Sequence, residues 1–110
     1  MTLGFGFGFP RRRAVAVNWT PALISSALWL DAADASTITL NGSTVSQWND
    51  KSGNGRNVSQ PTASSQPTSN TRTLNGLNVL DFNADIIGRS TPFVTINTPW
   101  LVYSVITFDN

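Results

Sequence analysis

Residues 36–48 read Ser36-Thr37-Ile38-Thr39-Leu40-Asn41-Gly42-Ser43-Thr44-Val45-Ser46-Gln47-Trp48. Residues 36–40 alternate polar and apolar, the period of a half-buried strand. Asn41-Gly42 follows. Asn tolerates a left-handed backbone and Gly adopts it without strain, so the dipeptide signals a hairpin turn. Residues 44–48 then return as a second strand. The signal recurs at Asn75-Gly76, ahead of Asn78-Val79-Leu80-Asp81-Phe82. Two such signals imply antiparallel β structure.

Working outward, Phe93 to Ile96 reads as a further strand. Trp100-Leu101-Val102-Tyr103-Ser104-Val105-Ile106-Thr107-Phe108 is the most apolar stretch of the chain. Both of its faces are apolar, so it is expected as an inner strand, covered on both sides. Toward the N-terminus, Trp19-Thr20-Pro21 is extended, because the residue before proline avoids the helical region. Residues 22–30 form a short helix or turn leading into a strand at Leu28-Trp29-Leu30. Asp31-Ala32-Ala33-Asp34 is a turn. Residues 49–57 form a loop, and residues 59–72, rich in Ser, Thr, Gln and Pro, read as extended coil. The chain has no Glu, a residue that helical surfaces use freely. The class is therefore all-β.

The 110 residues suffice for one domain. Such a chain buries only about 60% of its unfolded surface. Charged residues make up 12% of the chain and hydrophobic ones 40%, so neutral polar side chains carry the surface. That suits an exposed β protein or a subunit packed in an assembly, and it weakens one defence against edge-to-edge association. With no Cys, disulfides and thiolate nucleophiles are excluded. With no His, the usual general base, pH switch and zinc ligand are missing. No apolar run approaches the roughly 20 residues a membrane helix needs, so no membrane partner is expected. A signal-peptide reading of residues 11–30 is broken by Asn18 and Pro21, and an apolar Gly-Phe segment precedes the arginines.

Residues 1–17 read as a flexible anchoring arm. Phe5, Phe7 and Phe9 alternate with glycines, a segment too costly to order alone in water. It is either a disordered terminus or a docking peptide whose Phe rings fill pockets on a partner. Arg11, Arg12 and Arg13 are three of the seven basic residues, so the net charge of +1 is concentrated here. The triplet is too short to indicate nucleic acid.

In order along the chain, the runs PALISSALWLDAADASTITL, VSQWNDKSGNGRN, SQPT and NGLNVLDF resemble the opening of concanavalin A-like lectin/glucanase domains of the laminin-G-like kind. The match covers about residues 19–108. The resemblance implies an antiparallel jelly-roll β-sandwich over residues 18–110, with Leu28-Trp29-Leu30 near one sheet edge and residues 100–108 as an inner strand. Such domains run to roughly 150–200 residues. The chain therefore looks like the first half to two-thirds of one, completed by partners or by further sequence. The Gly-Phe and Arg arm resembles the start of some bacteriophage structural proteins.

The candidate site is the loop Asp50-Lys51-Ser52-Gly53-Asn54-Gly55-Arg56-Asn57. Asp50, Gly53, Asn54 and Gly55 have the chemistry of a tight, self-bonded turn. An alternative use is a calcium site built from Asp50, Asn54 and Asn57 oxygens. Asp31 and Asp34 are spaced as turn and cap residues rather than as a glycosidase pair. Glucanases of the resembled fold carry catalytic Glu on a later inner strand, and this chain has none, so no catalytic residue is assigned. Trp29 and Trp100 fit a core; Trp48 borders the polar loop and is the candidate ligand-stacking residue. No cofactor is required.

These readings converge on a bacteriophage virion structural protein: a decoration, head-fibre or tail-associated subunit. It would dock through Phe5, Phe7, Phe9 and Arg11–Arg13 to other virion proteins, would be homo-oligomeric, and could grip a host surface glycan. The alternative is a carbohydrate-binding module of a bacterial surface protein or enzyme, located extracellularly. A glycoside hydrolase would need carboxylates the chain does not supply.

Overall fold

A computed structural model describes residues 18–93, 99 and 101–108. Their main feature is a five-stranded antiparallel sheet, and their only helical segments are three single 3-10 turns. The strands are β1 (Ile38–Asn41), β2 (Thr44–Trp48), β3 (Val58–Ser59), β4 (Thr68–Leu74) and β5 (Leu77–Asp81). The order is β1-β2-β4-β5, with β3 also paired to β2. The β-rich, antiparallel class expected from the hairpin signals is the observed one.

The two Asn-Gly signals are used differently. In β4–β5, Leu74 pairs with Leu77, so Asn75-Gly76 is the whole loop. Both residues have positive φ (52° and 77°), as a type I′ turn requires. In β1–β2, Asn41 pairs with Thr44, so Asn41 belongs to the strand and Gly42-Ser43 makes the turn. Gly42 takes the positive φ there.

β1 starts at Ile38 rather than Ser36 because residues 35–37 are taken by a 3-10 turn. Asp34 caps that turn, its carboxylate accepting the Ser36 N–H at 3.1 Å. The coil expected over residues 59–72 instead contains most of β4. Its sequence does not alternate, and the strand forms because β5 supplies a ladder. A bulge makes up for the missing pattern: Thr68 faces Asp81 and Arg72 faces Val79. Asn70 sits inside the bulge at φ 63°. Asn78 fills it, accepting the Asn70 N–H through Oδ1 and donating through Nδ2 to Ser69 Oγ and Ala32 O.

Two other expected strands are not present. Leu28-Trp29-Leu30 is irregular. The Trp29 N–H donates to Asp50 Oδ1 and its carbonyl accepts the Lys51 N–H, so its backbone is satisfied by a loop and not by a sheet neighbour. Residues 101–108 form no strand, and their large apolar side chains are 64–87% exposed. An apolar run becomes an inner strand only when neighbours offer ladders on both sides, and none of the described strands flanks it. Phe93 is irregular, and the rest of the strand expected at residues 93–96 lies outside the described residues, as does Trp100.

The two hairpins meet over a small centre. Val45 N donates to Pro67 O at 2.8 Å and Ser69 N to Ser43 O at 3.1 Å. Among the described residues the buried aliphatic side chains are Val45 and Val58, and Pro67, Gln66, Thr37 and Ser69 are buried as well. Gln66, two residues ahead of β4, ties the chain there to the β1–β2 hairpin and to the loop at Gln60. Its Oε1 accepts from Asn41 Nδ2 and Thr44 Oγ1, and its Nε2 donates to Gln60 O at 2.6 Å.

Candidate functional site

The loop after β2 is organised around one carboxylate. Asp50 Oδ1 accepts the backbone N–H groups of Trp29 (3.0 Å) and Ser52 (2.8 Å). Oδ2 accepts the Ser52 hydroxyl (2.7 Å) and the Arg56 N–H (3.0 Å). Burial raises the cost of its charge, yet these four donors outweigh that and hold its pKa at about 2. Gly53 and Gly55 have φ of 86° and 66°, which lets the chain curl back so that Arg56 reaches the same carboxylate.

Asn54 and Asn57 close the loop from two sides. Asn57 Oδ1 accepts the Asp50 N–H at 3.0 Å. Asn54 Nδ2 donates to the carbonyls of Ser26 and Ala27, and Arg56 Nη1 donates to Ala27 O at 2.6 Å. The guanidinium also lies 5.1 Å from the Phe93 ring centroid. Asp50 and Asn57 are thus brought together, while Asn54 turns its amide nitrogen toward residues 26–27. The oxygens that a cation would need at Asp50 and Asn57 accept hydrogen bonds from N–H and O–H groups.

Lys51 fastens the loop to the preceding turn. Its Nζ lies 2.8 Å from both Asp31 and Asp34 and 4.6 Å above the Trp29 ring. The ammonium and the Ser36 hydroxyl draw the Asp34 pKa down to about 2, and Asp31 and Asp34 push that of Lys51 up. Asp31 also accepts the Ala33 N–H. Both carboxylates are therefore engaged in the turn and the ion pair.

Trp48 stands elsewhere, on a groove of about 850 Å³. Its lining also includes Ala32, residues 79–83, residues 105–108, and Arg72 and Leu74 of β4. Because Trp48 belongs to β2 and Arg72 and Leu74 to β4, the groove reaches from β2 across β4 to β5 and is not confined to one edge of the sheet. The Trp48 indole N–H is buried without an acceptor. Trp19 is 5.6 Å from Tyr103, ring to ring. Phe5, Phe7, Phe9 and Arg11–Arg13 lie outside the described residues.

Sequence reasoning missed Gln66 and Asn78. Gln66 lies in a Ser/Thr/Gln/Pro run with no periodicity to mark it as buried. Asn78 is polar in a strand, a pattern that reads as solvent-facing. The chain matches no protein-family model, and no curated protein or solved structure is significantly similar to it.

Proposed function

We propose that this chain is a non-enzymatic structural subunit of a larger assembly, a bacteriophage virion protein built on the opening part of a concanavalin A-like jelly roll. The observation that carries this reading is the imbalance between core and surface. Val45 and Val58 are the buried aliphatic residues among those described, whereas Leu77, Phe82, Ile86, Leu101, Tyr103 and Phe108 are 48–87% exposed. Isolated monomers rarely leave so many large apolar side chains bare over so small a core; subunits cover them against neighbours. The hydrogen-bonded loop around Asp50 supports a scaffold role, since its polar groups are directed at the protein's own backbone.

In this reading the arm of residues 1–17 is the anchor, with Phe5, Phe7 and Phe9 in apolar pockets and Arg11–Arg13 at the rim. Deleting residues 1–17 should abolish incorporation into the particle while leaving the far-UV circular dichroism of the β domain unchanged. Undiminished incorporation would refute the anchoring role. A second reading, a carbohydrate-binding module, is favoured by the position of Trp48 on an open groove beside Arg72, Asp81 and Asn83. It requires that glycan binding by the chain be lost in Trp48→Ala.

A further inference from the structure

We infer that Asn75 is a site of spontaneous covalent modification, losing its side-chain amide by cyclising onto the Gly76 nitrogen. The inference goes beyond the subunit reading and does not depend on it. Asn is a chemically labile residue, most of all before glycine, which has no Cβ to hinder ring closure onto its nitrogen. The chain holds three such pairs, Asn41-Gly42, Asn54-Gly55 and Asn75-Gly76. By sequence the three rank alike, and the structure separates them.

Asn41 and Asn54 are held in place. Asn41 is a strand residue paired with Thr44; its carbonyl accepts the Thr44 hydroxyl at 2.8 Å, and its Nδ2 donates to the buried Gln66. Asn54 Nδ2 donates to Ser26 O, Ala27 O and Ser52 Oγ, within the loop clasped by Asp50. Asn75 is exposed, and its side chain has no hydrogen-bond partner among the described residues. It lies at the tip of the β4–β5 hairpin, at the far end of β4 from the seam where Thr68 faces Thr44. Its backbone stands at φ 52°, a left-handed region that residues other than glycine enter at a cost. Opening the turn relieves that cost and breaks no side-chain hydrogen bond of Asn75.

Opening is what the reaction needs. With the Asn75 backbone rotated out of the turn, the Gly76 nitrogen, deprotonated by solvent hydroxide, comes within reach of Asn75 Cγ. The N–Cγ bond forms, the Cγ–Nδ2 bond breaks, and the amide nitrogen leaves as ammonia, taking a proton from water. Water then opens the cyclic imide. Attack at the former side-chain carbonyl gives Asp; attack at the backbone carbonyl gives isoaspartate, whose main chain runs through Cβ and Cγ. No oxidant or reductant takes part. Either product adds a negative charge. Isoaspartate also lengthens the loop by one backbone atom, which a two-residue turn between Leu74 and Leu77 does not accommodate.

The test incubates the full 110-residue chain in mildly alkaline buffer and follows each Asn-Gly pair by peptide mass mapping over time. Conversion at Asn75 should outpace that at Asn41 and Asn54 by about tenfold or more, the factor that about 1.4 kcal/mol of easier local opening gives. In concentrated urea the three pairs should react at similar rates, because the restraints on Asn41 and Asn54 are gone. Fragmentation that distinguishes isoaspartate from Asp should find both at residue 75, and the isoaspartate fraction should lose amide protection at the Leu74–Leu77 end of the hairpin. Equal rates at the three pairs in the folded chain overturn the inference, as does earlier conversion of Asn41 or Asn54. So does an Asn75 that stays intact in the folded chain for as long as the urea-treated chain takes to convert, because the turn would then be closed to the reaction.

Discussion

Single residues here act mainly through backbone geometry and hydrogen-bond supply. Gly76 is the clearest instance. It holds φ 77° in a two-residue turn, and a Cβ placed on it would meet nothing within 4 Å. The cost of Gly76→Ala is therefore conformational alone, about 1 kcal/mol or somewhat more. Gly88 also has open space around its Cβ position but no positive φ. Gly88→Ala should be neutral or slightly stabilising, because it removes freedom only from the unfolded chain. Urea midpoints of the two variants, side by side, separate strain from crowding; equal losses would contradict this account.

At the scale of elements, the sheet is two hairpins joined at a narrow seam. β1–β2 and β4–β5 are internally well paired, but between them the ladder amounts to Thr44 facing Thr68 with the flanking bonds at Val45 and Ser69. Gln66 reinforces that seam from a buried position, 3% exposed. Gln66→Ala would leave the Thr44 hydroxyl and the Gln60 carbonyl without this partner and open a small void. The expected loss is about 1–3 kcal/mol, large for a domain with so little core. Amide exchange should show where the loss acts: Val45 and Ser69 should lose protection, while the Leu74–Leu77 end of the β4–β5 hairpin keeps most of its own. Uniform loss across all strands would mean that the hairpins are not separable units.

For the whole molecule, pH is the simplest probe of the clasped loop. Asp34 and Asp50 both have folded-state pKa values of about 2 against an ordinary 3.8. A depressed carboxylate pKa contributes stability that is fully present above the unfolded value and is lost as pH falls through the folded one. Stability should therefore hold through the neutral range, where no His or Cys titrates, and decline from about pH 4 down to about pH 2. Lys51 has the opposite sign: its raised pKa gives stability that is present at neutral pH and lost at strongly alkaline pH. Unfolding midpoints measured across the acid range check the first part. Asp50→Asn should flatten much of the decline, and an unchanged acid slope would place the responsible groups elsewhere.

The chain's own letters were sufficient for what is local. The hairpin over residues 38–48, the Asn75-Gly76 turn, the turn at residues 31–34 and the polar loop at 49–57 were legible, because turn chemistry depends on a few adjacent backbone angles; the strand start at Ser36 and the exact turn residues after Asn41 were not. Asp50, Gly53, Asn54 and Gly55 stood out for the same reason. What tertiary structure decided is non-local. β4 has no strand pattern and exists because β5 and the Asn78 side chain accommodate its bulge. Trp29 looks like a strand residue, yet its backbone is claimed by Asp50 and Lys51, 21 positions away in the case of Asp50. Residues 101–108 have the composition of an inner strand, but composition states only a demand for burial. Whether a strand forms depends on a neighbour presenting free N–H and C=O groups at the right distance, and that is a property of the assembled backbone.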